Sequence, residues 1–287
     1  MITKHTVWIR LSVGCSTALS QVSGANGAME DAGDLRQVRD WPEVEAHLKA
    51  WSTDPSHAPI GYILSLEGAD SLRTLADLEC SWEQGLRALG PAHYGKGRYA
   101  LGHDQDGPLS EQGRELLREM NRLGLILDAT HLCDQTFWQS LDLFQGPIWA
   151  SHHNCRALVD DPRQLADDQI KALAERGAVI GLAFDVWMVV PGWERGVTTK
   201  GDKPEASLEA LADHLDHYCQ LLGTSANVGI GSDLDGGYGS EQTPAGLDFI
   251  SDLRDFRAIL ERRGYGHDDL EGIFHKNFLD FLKKAWT

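Results

Sequence analysis

The sequence predicts an α/β protein: parallel strands closed into a (β/α)8 barrel of the TIM type, with its first one or two β/α units lacking. Three observations predict it. Short apolar runs of strand character alternate with helical segments along the chain, the pattern of a parallel sheet covered by helices. Four of those runs deliver a histidine or an acid at their end, and groups so far apart in sequence converge only if the sheet closes or nearly closes. The length, 287 residues, accommodates a barrel of about 250. It is read as one domain over 1–287 with an atypical segment at 1–34.

The elements follow in order. Val7, Ile9, Leu11 and Val13 alternate with Trp8, Arg10 and Ser12, which is strand periodicity, and Arg10 interrupts the apolar core that a secretory signal requires. After the Gly/Ala-rich stretch Ser23 to Ala28, Trp41–Trp51 reads as a helix with Val44, Ala46, Leu48 and Trp51 apolar. Six strands are then expected at Ile60–Leu66, Leu86–Pro91, Leu123–Asp128, Pro147–Ser151, Ala178–Phe184 and Val228–Ser232. Helices are expected at Ser110–Arg122, Asp134–Phe144, Asp167–Arg176 and Leu208–Leu222, with Gly124, Gly177 and Gly223 as their stops. Asp268 to Ala285 ends the chain as a helical segment. Six strands, or seven with the N-terminal run, fall short of the eight in a closed barrel. The sequence shows no internal repeat, linker or low-complexity tract.

Composition narrows the function. Forty-three acidic against 26 basic residues leave a net charge of -17, which argues against nucleic acid or an anionic membrane surface as a partner. No apolar stretch approaches the ~20 residues that span a bilayer. The five cysteines are scattered, odd in number and without Cys-x-x-Cys spacing, so buried free thiols in a reducing cytoplasm are expected.

The chemistry gathers at the ends of the strands. Glu67 follows Gly61–Leu66, His131 follows Leu123–Thr130, His152 follows Gly146–Ser151, and Asp233 follows Val228–Ser232. A histidine where a parallel strand ends is a metal-ligand position in α/β barrels, although one alone can be a polar group satisfied by a loop. Glu67 alone could merely cap the next segment. Occurring together, the four favour a metal centre. Asp235 could stand in for Asp233, but Asp233 comes first after the strand and Asp235 suits the Gly-rich turn. His153 points to the opposite side of the strand from His152 and is read as structural or as a support behind the metal ligands. His214 and His217, on a helix with Asp213 and Asp216, are read as a solvated face. Trp187 and Met188 either wall a pocket or pack beneath a loop.

The segments Ser65-Leu66-Glu67-Gly68, Leu127-Asp128-Ala129-Thr130-His131, Ala150-Ser151-His152-His153-Asn154-Cys155-Arg156-Ala157-Leu158 and Gly229-Ile230-Gly231-Ser232-Asp233-Leu234-Asp235-Gly236 together resemble the membrane dipeptidase family, the M19 metallopeptidases, from about residue 35 to the end. The resemblance implies a barrel of the metal-dependent amidohydrolase type with two zinc ions, hydrolysing small dipeptides through a metal-activated water. It implies that Glu67 bridges both metals and that His131 and His152 are the histidine ligands of the second. Asp233 then holds the attacking water and the substrate amine, His93 contacts the scissile peptide, and Arg163 grips the substrate carboxylate, with Arg156 as a competitor. These residue types suit the roles. A carboxylate can bridge two metals, neutral imidazole suits zinc, a carboxylate beside the water can move a proton, and a planar guanidinium matches a terminal carboxylate.

The chain departs from the family at its start, where a His-x-Asp motif should complete the first metal site. None occurs in the first 60 residues, and His5 and His57 sit in other contexts. One complete zinc site, Glu67 with His131 and His152, is therefore expected, with activity weaker than the family's. The alternatives are a single-metal or impaired relative acting as a binding protein, or another amidohydrolase-type hydrolase such as a lactonase. The partners expected are a small dipeptide and, as one arrangement the sequence allows, a second copy of the chain.

Overall fold

The computed structural model describes residues 28–234 and 236–287 and the backbone of 8–9. The described residues divide into two compact units, one of 8–9, 28–148 and 282–287 and the other of 149–281.

In the first unit, strands β1 (Trp8–Ile9) and β2 (Leu35–Gln37) both pair in parallel with β3 (Ile60–Glu67). Next come β4 (Leu86–Gly90) and β5 (Ile126–Asp128), again parallel, and Leu127 N donates to Pro147 O. Residues 61–66 of β3 are buried without interruption, because a parallel strand is covered on both faces and so reads as a continuous apolar run. Helix α1 (Trp41–Thr53) starts on Asp40, whose carboxylate accepts from Glu43 N at 2.9 Å. Helix α2 (Leu75–Glu83) starts on a Thr74–Asp77 capping box. Helix α3 (Glu111–Leu123) buries Gly113, Leu116, Leu117 and Met120, the i, i+3, i+4, i+7 stripe of a helix laid on a sheet. Helix α4 (Asp134–Leu143) buries Phe137 and Leu141.

In the second unit, β6 (Ile148–His153, its first residue in the other unit), β7 (Ile180–Leu182) and β8 (Val228–Ile230) are parallel and consecutive. They are packed tightly at their ends. A Cβ at Gly231 would lie 1.9 Å from Ser151 O, so no larger residue fits without moving the strand. Helices α5 (Asp167–Glu175), α6 (Leu208–Leu222) and α7 (Leu253–Arg262) follow. The chain finishes through α8 (His267–Glu271), a π turn at Gly272–Lys276, and α9 (Asn277–Trp286). Trp149 is fully buried against Phe278 and Phe281.

The α/β class and the parallel strands agree with the sequence reading, and helices end at Gly124, Gly177 and Gly223 as expected, all with positive φ. The strand count differs: the described residues hold eight strands where six or seven were expected. The unforeseen one is β2, a three-residue strand with Arg36 and Gln37 in it, held by pairing with β3 rather than by any apolar run of its own. Leu123, expected to open a strand, is the last residue of α3, and strand geometry begins at Ile126. Of the alternating segment Val7–Val13, only the backbone of Trp8–Ile9 is described; the rest, with His5, Cys15 and the stretch Ser23 to Gly27, lies outside the described residues. Cys133 and Cys155 are buried as expected, but Cys80 is exposed. Among the described residues no helix is long and apolar enough to cross a membrane.

Candidate metal centre

In the first unit Glu67 is the last residue of β3, and His131 sits in the turn after β5. Glu67 Oε1 lies 3.0 Å from His131 Nε2, with side-chain exposures of 13% and 4%. Two ligand atoms each about 2.1 Å from one tetrahedral metal stand about 3.4 Å apart, so this separation fits a shared ion. A carboxylate with an imidazole is also a donor pair suited to zinc. His93, in the loop after β4, brings Nε2 to 3.9 Å from Glu67 Oε2 and sets its ring edge-on to that of His131 at 4.6 Å. Half of its side chain is exposed.

The far nitrogen of His131 is also engaged. Its Nδ1 lies 3.3 Å from Nδ1 of His103, a buried residue that the sequence reading missed. His103 follows no strand. It is delivered by the backbone bridge between Gly102 and Leu132, with Cys133 N donating to Leu101 O. The glycine just before it is obligatory, since a Cβ at Gly102 would lie 2.1 Å from His93 O. That Gly-His pair is the one local signal that could have found it.

In the second unit His152 lies within β6, buried, with Nδ1 2.8 Å from Ser151 Oγ and Nε2 3.8 Å from Asp233 Oδ2. Asp233 follows β8. Each candidate histidine thus has its Nδ1 on a hydrogen-bonding partner and its Nε2 facing a carboxylate, the arrangement that orients a neutral imidazole toward a metal. Arg163 is buried, donating to His152 O at 3.0 Å and touching His153 Nδ1 at 3.3 Å, so it braces the histidine pair. Arg156 donates to Pro162 O and Gln164 O. Asn154, fully buried, bonds Ala183 through both side-chain ends and donates to Met188 O, which ties the end of β6 to the segment after β7. Met188 is therefore a packing residue, and Trp187 lies under the guanidinium of Arg195. Asp235 lies outside the described residues.

His131 (φ 69°) and Asp233 (φ 56°) are, among the described residues, the two non-glycine residues in the left-handed region. Such backbone costs about 1–2 kcal/mol per residue and collects where a site requires a particular side-chain direction.

One sequence reading is overturned. His214 is not on a solvated face but fully buried in α6, accepting from Cys155 N at Nδ1 (3.1 Å) and reaching Val189 O with Nε2 (3.0 Å). Burial pulls its pKa down to about 4, and pushes the neighbouring Cys155 thiol up, which makes that cysteine inert. His217 pairs with Asp167 at 2.8 Å.

The model of the membrane dipeptidase family, peptidase family M19, matches residues 31–287. Dipeptidase tcpJ of Claviceps purpurea is 29% identical over 233 residues, 78% of this chain and 52% of that one. Dipeptidase 3 of Rattus norvegicus is 28% identical over 260 residues, 87% of this chain and 50% of that one. The chain spans about half the length of the curated relatives it matches. A crystal structure of a metallopeptidase from Rhodobacter sphaeroides, bound to a phosphinate mimic of the dipeptide L-Ala-D-Ala, superposes with a TM-score of 0.79 at 26% identity, covering 98% of this chain and 78% of that one. The chain belongs to the membrane dipeptidase family, peptidase family M19.

Proposed function

We propose that this chain is a cytoplasmic zinc dipeptidase in which Glu67, His131 and His152 hold the metal and the whole chain acts as one hydrolase domain. The observation that carries the reading is the Glu67–His131 pair, two ligand-type atoms 3.0 Å apart at the end of β3 and just past β5, in a family of metallopeptidases. A bound zinc would supply an activated water and a Lewis acid for the carbonyl oxygen of the substrate.

The remaining roles belong to the chain's own side chains. Asp233 accepts a proton at Oδ2 and returns it to the departing amine; its left-handed backbone directs the carboxylate, whose Oδ2 lies 3.8 Å from His152 Nε2. Arg163 is assigned the terminal carboxylate of the substrate, which would limit activity to short peptides; for this its buried head, held on His152 O and His153, must open toward the substrate. His93 contacts the peptide to be cleaved.

The test is chelator dialysis followed by zinc titration and a dipeptide panel. One tightly held zinc per chain with restored dipeptide cleavage is expected. His152→Ala should lose that zinc, whereas His5→Ala should keep it. No zinc binding and no turnover after reconstitution would refute the reading, and two tight zincs would place a missed ligand in the chain.

A further inference from the structure

The contact between His103 and His131 has a chemical consequence that the peptidase reading does not use. Both rings are buried, their Nδ1 atoms are 3.3 Å apart, and the ring planes are tilted by 33° at a centroid separation of 5.2 Å. Tyr94 packs on both, at 4.7 Å from His103 and 5.3 Å from His131. The partners are 28 residues apart in sequence and are held together by the Gly102–Leu132 bridge, so the contact is built by the backbone and not by a flexible side chain.

Two neutral imidazoles meeting at Nδ1 allow one ring to donate and the other to accept. If His131 Nε2 carries a proton, that proton lies toward Glu67 Oε1 and no lone pair is left for a metal. If instead the proton sits on His131 Nδ1, it needs an acceptor in a buried place, and His103 Nδ1 lies within reach at 3.3 Å. We propose that His103 is a positioning residue for the metal: it accepts the Nδ1 proton of His131 and holds that ring in the tautomer whose Nε2 is a ligand. The proposal rests on the reading of His131 as a ligand. It adds a partner that determines how well the ligand binds. Partners of this kind typically change metal affinity by about 10–100-fold when removed.

The experiment compares zinc affinity and histidine-ring 15N spectra of the parent chain with three variants, after each is shown to fold by circular dichroism. H103F keeps an aromatic ring against Tyr94 and removes the acceptor. H103N places an oxygen on the γ-carbon, where Nδ1 was. H103Q carries its oxygen one bond further out. Zinc binding about 10–100-fold weaker in H103F, recovered in H103N but not in H103Q, is expected. The zinc-loaded parent and H103N should show His131 protonated at Nδ1. Parent-like affinity in H103F would overturn the proposal, as would equal losses in H103N and H103Q. Should H103F fail to fold, the contrast between H103N and H103Q decides alone. A parent chain that binds no zinc would instead refute the metal centre itself.

Discussion

Acidification should destabilise this protein through His214, and the structure sets the size of the effect. The imidazole is fully buried in α6, with Nδ1 accepting from Cys155 N and Nε2 on Val189 O, so protonation would place a charge where water is excluded and break the Cys155 bond. Burial lowers the folded pKa from 6.5 to about 4. The unfolded chain therefore binds this proton more readily than the folded one. Stability is complete well above pH 6.5 and declines as pH falls through 6.5 toward 4. Linkage gives a loss of about 0.2 kcal/mol at pH 7 and about 2 kcal/mol at pH 5, with a ceiling of about 3.4 kcal/mol below both values. Urea unfolding followed by the fluorescence of the nine tryptophans measures it at pH 7 and pH 5. Carboxylates titrate in the same range, so the comparison is with His214→Gln, which has nothing to protonate at this position. The parent should lose about 2 kcal/mol more than the variant between the two pH values. Losses that agree within about 0.5 kcal/mol would refute the argument.

Two further outcomes follow from the geometry of the site. Asp233→Asn should fold normally, because asparagine tolerates the left-handed backbone at φ 56°, yet kcat for dipeptides should fall about 100- to 10,000-fold with the proton acceptor gone; parent-like turnover would remove Asp233 from the reaction. Gly231→Ala should cost about 1–3 kcal/mol, since its Cβ would meet Ser151 O at 1.9 Å beside His152, and an unchanged melting temperature would show that the close approach of β6 and β8 is not needed.

What was legible in the sequence was whatever local spacing encodes. Strands β3, β6 and β8 lie within a few residues of their apolar runs because both of their faces are covered; Glu67, His131 and Asp233 stand at or just past strand ends, and His152, expected after its strand, lies inside β6 as its penultimate residue. His214 was open to the same reasoning. It falls on the stripe Leu211, His214, Leu215, Tyr218 of α6, but its polarity outweighed its position. The remainder was settled by segments far apart in the chain. Strand β2 exists because β3 offers it a backbone partner, His214 is tolerated inside because Cys155 and Val189 satisfy its nitrogens, and His103 reaches His131 because Gly102 bridges Leu132. Sequence periodicity reports which side of an element is buried. Which polar atoms then meet depends on backbone pairings between distant segments, and those are made only when the chain folds.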